Sequence, residues 1–288
     1  MVNNDVYKQK IDEYIKNMPS LPTSVAKVME ICDNPQTSPA DLNHVISLDP
    51  VLVGRVLKLI NSAYYSQGQQ VTNLVKAIIM LGINTVKNLA LSSSVVGNLT
   101  KNKASSGLNM EGFWRHSLCV GVSAKVIAKK RKVDPKQVEE YFAAGLLHDI
   151  GKIPLNAVLS NDYMLTIRSS DKDKLPLARM EERNLGISHC TAGAMIVKAW
   201  KLGGAVGDAI VYHHNHLDYD GPFKELLYTI VLANRFAVET EMGFSGDRFP
   251  EKLGPSVWET LKIEPKHFDE IAPVVSAEIE KAQIFLKL

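Results

Sequence analysis

The stretch DPKQVEEYFAAGLLHDIGK, residues 134–152, combines a helix signal with a metal-binding signal. Asp134 precedes Pro135, and a capping side chain followed by proline is typical of a first helical turn. Apolar residues then recur three and four apart, which predicts one buried helix face. They are Val138, Tyr141, Phe142, Gly145 and Leu146. Near its end the stretch contains His148 and Asp149, two residue types that bind metals in proteins.

The same helix signals recur over most of the chain. Ser38 precedes Pro39 and Asp49 precedes Pro50, so two further helices are predicted to begin at these prolines. After Asp49 the apolar residues again recur three and four apart. Long alternating patterns bounded by Asn-Gly or Asp-Gly, which would indicate strands, are not evident. We therefore predict an all-α fold built as a bundle of helices.

Polar stretches without periodicity separate the helical segments. The stretch LTKNKASSGLNM, residues 99–110, is polar and rich in Ser and Gly, which predicts a linker. It separates an N-terminal helical subdomain, residues 1–98, from a C-terminal helical domain, residues 110–288. Because residues 100–108 have few apolar groups to bury, we expect them to be among the most mobile of the chain. Two further loops are predicted, over residues 161–176 and 243–255.

The composition is that of an ordinary globular protein. Of the 288 residues, 45% are hydrophobic and 22% are charged, and 33 basic against 31 acidic residues leave a net charge of +2. So much apolar content at so low a net charge excludes a disordered chain. The near-neutral balance argues against a dedicated nucleic-acid binder.

Cysteine spacing and hydropathy bear on the location of the protein. The three cysteines, Cys32, Cys119 and Cys190, are widely spaced, which indicates a reducing compartment without a disulfide framework. The N-terminal stretch MVNNDVYKQK has no apolar core typical of a secretory signal. The apolar run 226–233 is under half the length of a membrane span. We therefore expect a cytoplasmic protein without a membrane partner.

Five of the eight histidines lie between residues 116 and 214, on separate predicted helices. They are His116, His148, His189, His213 and His214. Imidazoles together with the carboxylate of Asp149 suit zinc, iron, manganese or nickel rather than calcium. A single histidine on an apolar helix is more often a core or surface residue. Spacing alone therefore leaves both interpretations open.

The end of the helix that carries His148 offers a suitable place for a cation. His148 and Asp149 fall in its last turn, and Gly151 is predicted to close it in a left-handed conformation. The free carbonyls at such a helix end carry a partial negative charge, which favours a cation. Lys152 follows directly, where we expect it to reach an anion held by that cation.

Several stretches around these residues resemble known families. Four resemble the HD superfamily of metal-dependent phosphohydrolases, and their order of His, His-Asp, His and His-His is similar to the ligand series of its HD-GYP branch. Two longer N-terminal stretches resemble the HDOD family, the HD-related output domain. The HD-like stretches are FWRHS (113–117), AAGLLHDIGK (143–152), SHCTAGAMIVKAW (188–200) and AIVYHHNHLDYDG (209–221). The HDOD-like stretches are residues 20–65, ending in NSAYY, and AIIMLGINTVKNLALSSSV (77–95).

The resemblance implies a helical bundle of the HD superfamily type with a divalent metal centre. In it, His116, His148 and Asp149 would hold one ion, and Asp149 would bridge to a second ion. The ligands that complete the centre would be His189, His213 and His214. Iron or manganese is favoured, with zinc and nickel as alternatives. Two ions roughly 3.5 to 4 Å apart would activate water against a phosphodiester. Asp149 and Lys152 would then be the catalytic residues, with Lys152 holding the phosphate.

The chain also departs from the HD-GYP pattern. A further Asp of that branch is replaced by Asn234, a neutral and weaker ligand. Asn215 stands in place of a Glu, and Gly221–Phe223 stands in place of Gly-Tyr-Pro. These changes weaken the case for cyclic-dinucleotide hydrolysis. With Asp149 as the single ligating carboxylate, the centre is expected to be strongly positive, and Asn234→Asp is expected to raise its metal content.

Two functions of different classes follow from these observations. The HDOD resemblance implies a regulatory signal-transduction module that retains an HD-type metal centre, with signalling proteins or a phosphate-containing small ligand as partners. The alternative is a metal-dependent phosphohydrolase that acts on a nucleotide or a cyclic dinucleotide. The near-neutral charge disfavours a nucleic-acid adaptor, and the basic run 129–132 is interpreted as a solvated helix end. The oligomeric state stays open.

Overall fold

The computed structural model describes residues 4–65, 70–99 and 107–288, and within these ranges it contains helices and no strand. The all-α prediction is confirmed. The α-helices are α1 (Asn4–Asn17), α2 (Thr23–Cys32), α3 (Pro39–Ser47), α4 (Pro50–Ile60), α5 (Leu74–Leu81), α6 (Ile83–Leu99), α7 (Met110–Lys130), α8 (Val138–Leu147), α9 (Lys152–Val158), α10 (Ser160–Asp173), α11 (Leu177–Leu185), α12 (His189–Trp200), α13 (Gly204–Tyr212), α14 (Lys224–Glu239), α15 (Pro255–Leu261) and α16 (His267–Ala282). Two short 3₁₀ helices are η1 (His216–Asp218) and η2 (Gln283–Lys287).

Capping side chains begin two helices where the sequence predicts them. Ser38 caps α3, and it exchanges hydrogen bonds with Asp41 in a capping box. Asp49 caps α4 and accepts hydrogen bonds from the next two free backbone N–H groups at 3.0 Å. The cap predicted at Asp134 is wrong, because its carboxylate accepts the N–H of Lys136 within a turn and α8 begins only at Val138.

The loop predicted over residues 161–176 is mostly a helix. α10 covers most of this range and buries one face, formed by Tyr163, Thr166, Ile167 and Ser170. Two of these four side chains are hydroxyls that donate to backbone carbonyls at 2.8 and 2.6 Å. Because the hydroxyls are satisfied locally, the face can be buried without looking apolar in the sequence.

Residues 100–106 of the predicted linker lie outside the described residues. Next to them, Leu108 is buried, and its backbone N–H donates to Asn156 Oδ1 at 2.6 Å. Asn109 then caps α7. The premise that residues 100–108 have little to bury is therefore wrong at Leu108.

α7 and α8 form the middle of the molecule. α7 packs against α8, α14 and α16, and α8 also packs against α6 and α13. Helix α1 packs against α9 and α12, so the N-terminal helix contacts the C-terminal part of the chain. The buried apolar residues form one core that includes both parts. The division into residues 1–98 and 110–288 stays a prediction.

Within the described ranges, no single helix has both the length and the hydropathy needed to cross a membrane. Helices α5 and α6 meet that test only as a pair, and they are bent by 114° where they join. Most residues of α6 are buried in the core.

Candidate metal centre

Six side chains that are far apart in the sequence meet beyond the C-terminal end of α8. Helix α7 contributes one histidine, and the residues after α8 contribute a histidine and an aspartate. Helix α12 contributes its first residue, and the two residues after α13 contribute histidines. In that order they are His116, His148, Asp149, His189, His213 and His214. The structure thus brings together all six residues that the sequence analysis singled out as ligands.

The first group consists of His116, His148 and Asp149. Oδ2 of Asp149 lies 3.3 Å from Nε2 of His148 and 3.9 Å from Nε2 of His116. All three side chains are buried. This geometry brings one carboxylate oxygen and two imidazole nitrogens around a common point.

The second group consists of the same Asp149 with His189, His213 and His214. Oδ1 of Asp149 lies 3.3 Å from Nε2 of His189 and 3.5 Å from Nε2 of His213. The ligand atoms of each group lie within 4.8 Å of one another. Each oxygen of Asp149 therefore faces a different set of imidazoles, as a carboxylate that bridges two ions must do.

Acceptors behind the imidazoles set their orientation. Nδ1 of His148 bonds to a backbone carbonyl at 2.7 Å, and Nδ1 of His213 bonds to another at 2.9 Å. Nδ1 of His189 bonds to Oε2 of Glu181 at 2.6 Å. When these imidazoles are neutral, a proton held on Nδ1 leaves the lone pair on Nε2, which is the atom that faces Asp149 in all three residues.

Several inward-facing atoms lack a hydrogen-bond partner. Among the described residues these include Nε2 of His116, Nε2 of His148 and Oδ1 of Asp149, all of them buried. A buried polar atom without a partner costs roughly 1–3 kcal/mol. Imidazole nitrogen and carboxylate oxygen are also the donors that divalent transition ions prefer. The residues present therefore fit a metal centre.

Burial and neighbouring charges set the protonation states. Burial lowers the pKa of His116 to about 3, and it also lowers the pKa of His148 and His189. For Asp149, burial acts to raise the pKa, but His148 and Lys152 outweigh it and hold that pKa well below its usual range. The site therefore combines neutral imidazoles at these three positions with an ionised carboxylate.

Lys152 points into the centre rather than away from it. Its Nζ donates to Oδ2 of Asp149 at 2.7 Å and to Oγ of Ser245 at 3.2 Å, and the side chain is buried. Its nearest anion is the Asp149 carboxylate, and the expectation that Lys152 reaches an anion held by a cation stays a prediction. Its part in catalysis stays a prediction.

Gly151 does not close α8 in a left-handed conformation, so that prediction is wrong. Its φ is −64°, in the right-handed region, and the chain continues through a turn into α9. A Cβ atom at this position would lie 1.9 Å from the backbone oxygen of His189. The glycine is required because the turn after α8 passes directly against the start of α12. That approach brings Asp149 next to His189.

Asn234 lies on α14, close enough to His116 to act on the pKa of its imidazole. Its amide therefore lies next to a predicted ligand. Its predicted role as a weak ligand stays a prediction.

Carboxylates behind the histidines were missed by the sequence analysis. Glu181 on α11 is fully buried and accepts hydrogen bonds from Tyr163 Oη at 2.8 Å and from the backbone N–H of His189 at 2.8 Å. Burial raises the pKa of Glu181 to about 7. Glu251 bonds to Nδ1 of His214 at 2.8 Å, and although burial acts to raise the pKa of Glu251, this bond helps lower it to about 2.

These carboxylates correct the expected charge of the centre. The ligand set predicted from the sequence implies a strongly positive site with Asp149 as its single carboxylate. The structure adds Glu181 and Glu251 directly behind two of the imidazoles. Both lie in segments with several charged residues, so no pattern in the sequence distinguished them from surface carboxylates.

A cavity of about 780 Å³ borders the centre at His214. Its walls also include Lys174, Arg179 and Lys252, none of which has an ion-pair partner among the described residues. The opening therefore carries positive charge next to one predicted ligand.

The fold and the site together define an all-helical protein with a buried cluster of five histidines and one aspartate. The family profile of the HDOD domain matches residues 18–216, which is most of the chain. The chain therefore belongs to the HDOD family, as the stretches 20–65 and 77–95 predict. This match does not test the resemblance of the ligand series to the HD-GYP branch.

Solved structures share the fold. An HDOD domain protein of unknown function from Geobacter sulfurreducens is 22% identical, with a TM-score of 0.75 and coverage of 99% of both chains. A phosphohydrolase candidate from Shewanella amazonensis is 22% identical, with a TM-score of 0.70 and coverage of 96% of this chain and 98% of the other. A signal transduction candidate from Marinobacter aquaeolei is 21% identical, with a TM-score of 0.73 and coverage of 98% and 66%.

A curated relative from Treponema pallidum carries the description of an uncharacterized protein. It is 24% identical over 224 residues, which are 78% of this chain and 43% of the relative. The chain thus spans less than half the length of that protein.

Proposed function

We propose that this chain is a regulatory signal-transduction module of the HDOD family that holds a divalent metal centre. The observation that carries the proposal is the convergence of five imidazoles on the two oxygens of Asp149, with buried nitrogen and oxygen atoms that lack partners. Such a donor set is costly to bury without an occupant.

The metal-binding residues come from α7, α12 and the segments after α8 and α13. Ligands on separate elements couple metal binding to the stability of the fold, because the elements must be in place together for the ion to be held. A metal-dependent change in the packing of these helices is the means by which the module would relay a signal. Its partners in this proposal are signalling proteins or a phosphate-containing small ligand in the cytoplasm.

The burial of the centre favours a regulatory role over a catalytic one. Five of the six side chains are at most 3% exposed, and among the six the large cavity is lined only by His214. Iron or manganese is the favoured ion, with zinc and nickel as alternatives, because imidazoles are mixed with a carboxylate.

Metal analysis combined with a hydrolysis assay tests this proposal. The protein is purified after growth with added iron or manganese, its metal content is measured by elemental analysis, and bis(p-nitrophenyl) phosphate is offered as a generic phosphodiester. We expect bound metal without hydrolysis, and loss of the metal in Asp149→Ala. A wild-type protein without metal, or equal metal in wild type and Asp149→Ala, would overturn the proposal.

The second candidate function is a metal-dependent phosphohydrolase acting on a nucleotide or a cyclic dinucleotide. The cavity at His214 supports it, because its unpaired cations Lys174, Arg179 and Lys252 suit a phosphate-containing ligand. When bound, a divalent ion supplies Lewis-acid activation of a phosphoryl oxygen. Hydrolysis by the wild type that disappears in Asp149→Ala would favour this function over the regulatory one.

A further inference from the structure

A buried ion pair joins α7 to α8 at a distance from the candidate centre. Nζ of Lys125 on α7 lies 2.7 Å from Oε2 of Glu139 on α8, and the two side chains are only 10% and 5% exposed. Removal of one partner from such a pair leaves the other charge buried without compensation, which is strongly destabilising. The pair therefore holds this part of α7 and α8 together.

Two tyrosines connect this pair to the N-terminal helices. Tyr64 and Tyr65 end the stretch NSAYY, which directly follows α4. The hydroxyl of Tyr65 donates to Oε1 of Glu139. Nζ of Lys125 lies 4.4 Å and 4.5 Å from the ring centroids of Tyr64 and Tyr65, within the range of a cation–π contact. The N-terminal helices therefore contact α7 and α8 through this pair.

Between the pair and the centre, α7 and α8 touch at two glycines. A Cβ atom on Gly145 would lie 2.8 Å from Cα of Gly121, and a Cβ atom on Gly121 would lie 2.8 Å from the backbone oxygen of Phe142. The two backbones are therefore in contact with no side chain between them. Because neither helix can move closer there, a change in their crossing angle must turn about this point.

The glycine contact has the ion pair on one side and the first group of ligands on the other. On α7, Lys125 is four residues beyond the glycine and His116 is five residues before it. On the chain of α8, Glu139 is six residues before the second glycine and His148 is three residues beyond it. At 1.5 Å per residue, these side chains are about 5–9 Å from the contact along the helices. A rotation that separates the pair therefore shifts His116 relative to His148 by a similar distance.

We propose that Lys125 and Glu139 are positioning residues for the first group of ligands, through which the N-terminal helices regulate metal binding. This inference rests on the proposed metal centre and names a route by which the module would respond to a signal. With the pair intact, Nε2 of His116 lies 3.9 Å from Oδ2 of Asp149, close enough for both to bind one ion. With the pair broken, α8 turns on α7 about the glycines, which lowers the affinity of the centre for metal.

Metal affinities of variants of the whole chain test this assignment. Metal-free wild type and Glu139→Gln are titrated with Mn²⁺ and with Ni²⁺ in a calorimeter, well below their melting temperatures. Glu139→Gln leaves the ammonium of Lys125 buried without a counter-ion, so we expect metal affinity to fall by about 3- to 30-fold. A double variant that also carries Lys125→Met lacks the unpaired charge, and we expect its affinity to return to within about twofold of the wild type.

Two controls separate positioning from a general loss of stability. Glu140→Gln makes the same change one residue further along α8, at a half-buried position outside the pair. Asp49→Ala removes the N-terminal cap of α4 and should lower the melting temperature through the N-terminal helices alone. We expect both control variants to bind metal as the wild type does.

The outcomes separate the two levels of the argument. Unchanged affinity in Glu139→Gln, no recovery in the double variant, or an equal loss in Asp49→Ala would overturn the role of the pair and leave the metal centre in place. A wild type that binds neither ion would overturn both. Melting temperatures of the metal-free proteins check folding. If Glu139→Gln does not fold, Tyr65→Phe, which removes a single hydroxyl from Glu139, carries the same expected loss of affinity.

Discussion

Glu181 shows how one buried side chain sets the proton position of a predicted metal ligand, His189. It accepts the Nδ1 proton and the backbone N–H of His189, and the hydroxyl of Tyr163 binds its other oxygen. Glu181→Gln keeps the size of the side chain but removes its negative charge. It also places an amide N–H group beside the hydroxyl of Tyr163 and the N–H groups of His189, which are themselves hydrogen-bond donors. We expect metal affinity to fall by about 10- to 100-fold, as measured by calorimetric titration.

Glu182 offers a control for this prediction, because it is adjacent in the sequence and exposed. Its carboxylate accepts the backbone N–H of Ser188 at 3.0 Å, a bond that a glutamine oxygen can keep. Glu182→Gln should bind metal as the wild type does. An equal loss of affinity in both variants would contradict the role of Glu181 behind His189.

Asn234 is the residue where the chain departs most directly from the HD-GYP pattern. Its amide lies close enough to His116 to act on the pKa of that imidazole, so Asn234→Asp would place a negative charge next to the first group of predicted ligands. We expect metal content after purification to rise, because the carboxylate either accepts the imidazole proton more strongly or binds the ion itself. Elemental analysis beside the wild type measures this, and lower metal content in the variant would count against the prediction.

At the scale of elements, the turn between α8 and α9 holds the centre together. Gly151→Ala would push the turn away from α12, since the new Cβ would lie 1.9 Å from the backbone oxygen of His189. We expect a loss of stability of about 1–3 kcal/mol or more, together with weaker metal binding. Urea unfolding measures the first effect and calorimetry the second.

Gly54 is the matched control for that substitution. It lies within α4, and a Cβ atom there would meet nothing within 4 Å. Gly54→Ala should leave metal binding unchanged and stabilise the fold slightly, because alanine favours the helix. If Gly151→Ala unfolds at the same urea concentration as the wild type, the contact between the turn after α8 and the start of α12 does not hold α12 in place.

At the scale of the whole molecule, a bound metal ion should link α7, α12 and the ends of α8 and α13, and so stabilise the folded state. A ligand at a hundred times its dissociation constant stabilises the folded state by about 2.7 kcal/mol. Removal of the metal with a chelator should therefore lower the melting temperature by roughly 5 °C or more. Thermal unfolding followed by circular dichroism measures the shift.

Asp149→Ala distinguishes loss of metal from other effects of the chelator. Without the shared carboxylate, this variant should melt at the same temperature with and without chelator. A chelator effect of similar size in the variant would show that the ion acts at another place in the molecule.

The sequence alone determined the helical class, the HDOD family and the identity of the six converging residues. Helix caps such as Ser38 and Asp49 act through bonds to the next few residues, so their effect is visible in a short stretch of chain. The histidines could be singled out because their chemistry is specific and their order resembles a known series. The face of α10 was missed because two of its buried residues are polar and satisfied locally.

Only the tertiary structure decided what surrounds those six residues. Glu181, Ser245 and Glu251 are ordinary polar residues in the sequence, and they matter because folding places them behind or over the centre. The need for glycine at position 151 also comes from the approach of α12, which begins only at His189. Contacts of this kind depend on how distant helices pack, and burial then determines the pKa and the partners of each group.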